Sequence, residues 1–223
     1  ARSSFAGAPL LSLMWCRRVV ELRPGDLMPL ESMLERAIAS GQPIIVADAV
    51  GYVLSEPRPW RELAPALARA LETLSQSDAP LAARVAQQVL AFVGPAVSPL
   101  YDALRATARA AGDTVLELAT VLGRAVGDET DDSERATVYV EAAQLSLGHG
   151  DIEGAAVHVS RAAAHGGSLD TIMDMLERLQ ASIDALPPAE RSDALMSLAR
   201  ATAWAAEQQD TRTSVEAWRY IGA

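Results

Sequence analysis

The residues of this chain best suited to move a proton or bind a metal near neutral pH are its three histidines, His149, His158 and His165. His158 and His165 are seven positions apart, about 10.5 Å along a helix axis, so one metal ion cannot join them without ligands from a third element. On a helical wheel both flank the stripe Ile152, Ala155, Val159, beside Arg161, as residues on the boundary between core and solvent. A second group, Asp128, Glu129, Thr130, Asp131, Asp132, Ser133 and Glu134, offers carboxylates. It lacks the central Gly and late Glu of a calcium loop, and it runs into a helix whose dipole stabilises acids at that end. Cys16 is the single cysteine and lies between Trp15 and Arg17 in an apolar segment, with no histidine nearby in sequence. It reads as a small core residue rather than a nucleophile. The sequence carries no phosphate-binding glycine loop, nucleophile elbow or paired-histidine zinc helix. It is therefore read as having no catalytic residues, no cofactor site and no metal site: a non-enzymatic protein.

Composition bounds the elements that must position these side chains. The 223 residues suffice for a continuous helical core without metals or disulfides. Half the residues are apolar but only 4% are aromatic, and Ala, Leu, Arg and Glu dominate, as in close-packed helices. All 19 basic residues are Arg and the chain lacks Asn, a bias expected of a GC-rich bacterial source, so no single Arg carries a motif by itself. The net charge of -10 comes entirely from positions after 100. That field repels phosphates and anionic lipid, which argues against nucleic-acid or membrane-surface partners and leaves a basic or neutral protein partner. The lone cysteine and the absence of a spanning apolar stretch fit a cytoplasmic setting. Residues 1–8 lack a starting Met and read as a flexible tail, and the apolar, helix-like end around Trp218 and Ile221 suggests a segment of a longer chain.

Punctuation by Ser and Asp caps, first-turn Pro and terminal Gly yields about a dozen helices, an all-α reading. The first two run over residues 9–22 and 27–40, with Asp26 capping the second and Gly41 ending it. Pro43, Ile44, Ile45, Val46 and Ala47 could open a buried strand, but context favours a helix through Leu54. Helices follow at about 60–74, with Pro65 near its start, and at 80–93 behind Asp78. Gly94-Pro95 then separates an N-terminal region, 9–95, from a second one, 96–223. There the helices cover about 98–111, 114–126, 133–147 with Ser133 as cap, 152–165 and 168–186. The last has a heptad seam of Leu169, Ile172, Leu176, Leu179, Ile183 and Leu186. Pro187-Pro188 break it before two more helices, about 189–208 and 211–221.

An internal echo gives the second region its order. Tyr101 precedes Gly112-Asp113 by the same interval as Tyr139 precedes Gly150-Asp151, and each copy is a helix, a Gly-Asp turn and a second helix. In this the chain resembles the tetratricopeptide repeat, best over residues 136–167. Tyr139 takes the large aromatic slot, Ala143 the small slot one turn later, and Gly150-Asp151 the turn. Ala155, Val159 and Ala162 fill the small, large and small slots of the second helix. Ala142, Ser146 and Gly167 depart from that pattern, and Glu117 stands at a small slot of the fainter first copy. The resemblance implies an irregular α-solenoid of stacked antiparallel helix hairpins.

It also implies a function by surface: a protein-protein interaction scaffold whose first-helix faces take a peptide or partner domain. The groove-facing candidates are Asp102, Ala106 and Arg109 in one hairpin and Thr137, Val140 and Gln144 in the next. Trp15, Trp60 and Trp204 are assigned to the core, whereas Trp218, beside Tyr220 and Ile221, is a candidate docking residue. The alternative is a helical sensory or regulatory domain attached to an effector, holding a small ligand in a pocket lined by Met28, Met33, Met173, Met175 or Met196.

Overall fold

The computed structural model describes residues 9–23, 25–56, 60–95, 98–127 and 130–208. Among them are eleven helices and no strand: α1 (Pro9–Leu22), α2 (Met28–Ala39), α3 (Pro43–Ser55), α4 (Trp60–Ser77), α5 (Ala79–Val93), α6 (Ser98–Ala111), α7 (Thr114–Ala125), α8 (Asp132–Gly148), α9 (Ile152–Ala164), α10 (Leu169–Asp184) and α11 (Pro188–Gln208). No described helix is long and apolar enough to cross a membrane. The ambiguous Ile44-Ile45-Val46 run is helical. Pro43 sits in the first turn, and Ile45, Val46, Ala49, Val50, Val53 and Leu54 recur at helical spacing and are all buried. The tail 1–8, the last expected helix and Trp218 lie outside the described residues.

The ends of the helices are set by local chemistry. Asp78 caps α5, accepting a hydrogen bond from the Leu81 N–H at 3.0 Å. Two other caps differ from the sequence reading. Leu27, not Asp26, occupies the cap position of α2, and Asp26 instead accepts from the Met28 N–H. Asp131 rather than Ser133 caps α8: the cap lies two residues earlier, and the Asp131 carboxylate accepts from the Glu134 N–H at 2.7 Å.

The two Gly-Asp turns have the same construction. Gly112 and Gly150 take positive φ of 64° and 77°, the left-handed conformation that only glycine adopts cheaply. The next N–H, of Asp113 or Asp151, reaches back to the carbonyl of Ala108 or Ser146 at 2.9 Å. Each Asp then turns its carboxylate forward to cap the following helix, through Leu116 N–H and Gly154 N–H.

The chain divides into two compact units, residues 1–120 and 121–223. In the first, α1 packs on α2, α2 on α3 and α4, α3 on α4 and α5, and both α4 and α5 on α6. In the second, α8 packs on α9 and α10, α9 on α10 and α11, and α10 on α11. Thus α2, α4 and α8 pack on the first helix of the next hairpin, and α3 and α9 pack on both of its helices. Both α4 and α5 pack on α6, so Gly94-Pro95 lies within the first unit. Nearly all the net negative charge belongs to the second unit, which has eight Arg against seventeen acids.

Trp15 is not in the core as expected but 61% exposed. Helix α1 has two apolar stripes, and it is Leu13, Cys16 and Val20 that it buries. In α10 the seam is buried at Ile172, Leu176, Leu179 and Ile183, with Met175 beside it, while Leu169 at the helix start is partly exposed.

Gly167, where the repeat pattern has Pro, donates its N–H to the Ala162 carbonyl at 2.9 Å, a bond Pro cannot make. A Cβ there would lie 2.9 Å from that oxygen and 3.3 Å from Ile172 Cδ1. Gly167→Ala is therefore expected to lower unfolding free energy by about 1–3 kcal/mol, measured by urea denaturation.

Candidate functional site

On α6 the expected groove residues Asp102, Ala106 and Arg109 are all exposed and share one stripe. The opposite stripe, Leu100, Ala103, Leu104 and Ala108, is buried. There Thr107 and Ser75 exchange a hydroxyl hydrogen bond of 2.8 Å that joins α6 to α4. Arg109 is not purely a surface residue. Its Nε donates to Glu117 on α7 at 2.6 Å, and Arg105 Nε reaches the same oxygen at 3.4 Å.

Glu117 explains why two arginines are gathered. It stands at the position where the second copy has Ala155, between closely packed helices, and its side chain is only 11% exposed. A carboxylate there must be ion-paired or it loses hydration without compensation. The Arg105 guanidinium also lies over the Tyr101 ring at 6.0 Å.

The same exposed stripe continues on helices to which the sequence reading assigned no repeat. On α4, Arg69 donates to Glu35 of α2 at 3.4 Å, and both side chains are about half exposed. The outward faces of α2, α4 and α6 therefore adjoin. One usable signal was the spacing of helix starts: α4 at Trp60 and α6 at Ser98 stand at the interval of the echo. The turns after α2 and α4, through Gly41-Gln42 and Asp78, lack the Gly-Asp pair on which the echo rested.

In the second unit Thr137 and Gln144 of α8 are exposed and Val140 is half-buried. The Thr137 hydroxyl donates to the Ser133 carbonyl. The opposite side of α8 buries Ala136, Tyr139, Ala142, Ala143 and Ser146.

Two of the three histidines, His158 and His165, meet at Tyr139. Its ring is stacked between two imidazoles, His158 with centroids 6.3 Å apart and 16° between planes, and His165 at 5.6 Å and 14°. The Arg161 guanidinium lies 5.7 Å from the ring centre. Two histidines seven apart thus both stack on one aromatic side chain. His165 Nδ1 is also 3.0 Å from Asp132, which takes a 3.5 Å contact from Arg135. The hydrogen bond from His165, first, and its charge pull the Asp132 carboxyl below its ordinary 3.8. His158 is 8% exposed, and its Nδ1 is buried with no hydrogen-bond partner. Burial, then the nearby Arg161 charge, lowers its pKa from the ordinary 6.5, against a smaller pull from Asp151.

The acidic run is engaged structurally as far as it is described: Asp131 caps α8, Asp132 faces His165, and Glu134 pairs with Arg124. Asp128 and Glu129 lie outside the described residues. Among the described residues, no three His, Cys, Asp or Glu side chains gather as metal ligands would. Cys16 is buried, and desolvation raises its thiol pKa despite the Arg36 charge. Of the five methionines considered for a ligand pocket, Met33 and Met175 are fully packed in their cores, and Met28 and Met196 are exposed.

Two outcomes follow from these clusters. The folded chain keeps His158 neutral to lower pH than the unfolded chain does. Between the two pKa values the unfolded state therefore binds more protons, so this contribution is complete above 6.5 and falls as pH drops below it. Urea titrations from pH 7.5 to 5.5 are expected to show that loss, and it should shrink in His158→Phe. Glu117→Gln leaves two arginines facing a neutral group and is expected to cost about 1–3 kcal/mol in the same assay at pH 7.5.

No known protein-family model matches this chain, and no curated protein sequence matches it.

Proposed function

We propose that this protein is a non-enzymatic interaction scaffold, a degenerate tetratricopeptide-like array that holds a peptide or partner domain on the outward faces of its first helices. The observation that carries the reading is the adjacency of those faces in the first unit. Arg69 of α4 bridges to Glu35 of α2, and α4 packs on α6, whose Asp102, Ala106 and Arg109 are exposed. Side chains from successive hairpins thus form one mixed-charge surface rather than separate patches. Hairpin arrays commonly bind along such surfaces. In the second unit Thr137, Val140 and Gln144 occupy the corresponding stripe of α8.

The state of the reactive residues supports binding over chemistry. Cys16 is a buried thiol with raised pKa, a poor nucleophile. His158 and His165 are occupied in stacking on Tyr139. The acid surplus of the second unit favours a neutral or basic partner there.

A peptide library displayed on phage and selected against the intact chain tests this. Selected peptides are expected to bind the double variant Asp102→Arg, Ala106→Arg at least about tenfold more weakly, with the unfolding midpoint unchanged because both positions are exposed. Binders indifferent to these substitutions and to changes at Glu35, Arg69 and Gln144 would overturn the assignment.

A further inference from the structure

His158 is the buried member of the aromatic cluster in the second unit. It is 8% exposed, and its Nδ1 finds no hydrogen-bond partner among the described residues. Its ring lies against that of Tyr139, 16° from parallel. A phenylalanine or leucine would fill such a place without leaving a polar atom unsatisfied. Packing alone therefore does not account for an imidazole here. What an imidazole adds is a site that takes up a proton in mildly acidic water.

The surroundings decide what that proton does. On α9 the charge that bears most on His158 is Arg161, whose guanidinium already lies 5.7 Å from the Tyr139 ring centre. Asp151, before the first residue of α9, pulls the other way, but its carboxylate is engaged by the Gly154 N–H at 2.8 Å. Helix α8 faces His158 with the uncharged Tyr139 ring. Its Asp132, with Arg135 beside it, meets His165 instead, and Glu134 pairs with Arg124. Glu141, two positions from Tyr139, belongs to another face of α8. Among the described residues the buried side chains of α10 and α11 are apolar. The charged residues of α10, Asp170, Asp174, Glu177, Arg178 and Asp184, are exposed. On α11, Glu190, Asp193 and Arg200 are exposed, and Arg191 bonds the Leu186 and Asp184 carbonyls. A proton on His158 thus meets a like charge and creates an N–H without an acceptor. Attraction to the ring face is weak compensation, since Arg161 already uses that ring.

The second histidine is placed for the opposite response. His165 Nδ1 is 3.0 Å from Asp132 in the first turn of α8, and a proton on His165 makes that contact an ion pair. We infer that His158, Tyr139 and His165 form an acid-sensitive latch between α8 and α9, in which proton uptake lifts His158 from the Tyr139 ring while His165 stays tied to Asp132. Burial first, then the Arg161 charge, place the release of His158 below the ordinary 6.5. The hairpin loosens between its turn and its open end, and Asp132 and His165 keep that end closed. Acid therefore changes the packing of α9 on α8 before it unfolds the unit.

Nuclear magnetic resonance of the full chain, titrated from roughly pH 7.5 to 4.5, reads the latch directly. The Tyr139 ring protons are expected to lose part of their upfield ring-current shift in step with protonation of His158. Far-ultraviolet circular dichroism and the methyl signals of α10 should stay constant over that step. His158→Phe keeps a stacked ring that takes no proton and should abolish the change. His158→Leu, smaller and equally unable to titrate, should abolish it too. Asp132→Asn removes the ion pair, so His165 should also leave the ring and the change at Tyr139 should grow. The latch is excluded if Tyr139 keeps its shift while His158 titrates, or if the change persists in both His158 variants. Neutral His158 down to global unfolding, or unfolding of the whole chain in one step with its protonation, excludes it as well. An acid response in Asp132→Asn equal to that of the parent chain removes the tether from the scheme.

Discussion

The architecture rests on a turn of two residues. A glycine in the left-handed region ends one helix, and the aspartate after it caps the next, as at Gly112-Asp113 and Gly150-Asp151. The glycine reverses the chain without a side-chain penalty, and the aspartate satisfies an N–H group that would otherwise lack a partner. With so little chain between them, two helices can only lie antiparallel and in contact. The hairpin is thus fixed locally before any long-range packing is considered.

Once hairpins are fixed, the distance between helices is decided by side-chain size. Between α8 and α9 this is met with alanine: Ala142, Ala143, Ala155, Ala156, Ala162 and Ala163 are buried. Tyr139 is the bulky exception, and the two histidines of α9 stack against it. Between α6 and α7 a carboxylate occupies the equivalent place, and Arg105 and Arg109 neutralise it. The two hairpins therefore answer the same steric requirement, one with a small apolar group and one with an ion pair. The ion pair draws Arg109 partly away from the surface it would otherwise serve.

Helix boundaries were legible because their signals are local: Asp78 before α5, Pro43 in the first turn of α3, and Pro187-Pro188 after α10. The exposure of Trp15 was not legible, because periodicity along one helix does not say which of its apolar residues meet a neighbour. The hairpin order of α2 to α5 was hidden because Gly41-Gln42, between α2 and α3, and Asp78, between α4 and α5, join those helices without a Gly-Asp pair. For the candidate site, exposure of Asp102, Ala106 and Arg109 follows from α6 periodicity alone. The meeting of Arg105 and Arg109 with Glu117, and of Tyr139 with both histidines, depends on how neighbouring helices rotate against one another, which spacing along one helix does not encode.

Within either unit, the packed pairs of helices are never more than two places apart in chain order. Almost no long loop must close before a native contact forms, so the entropy lost ahead of each gain is small. Each pair of packed helices therefore forms from residues close together in the chain. The same locality also means that partly opened forms, with a terminal hairpin detached and the rest intact, are the natural first step of unfolding.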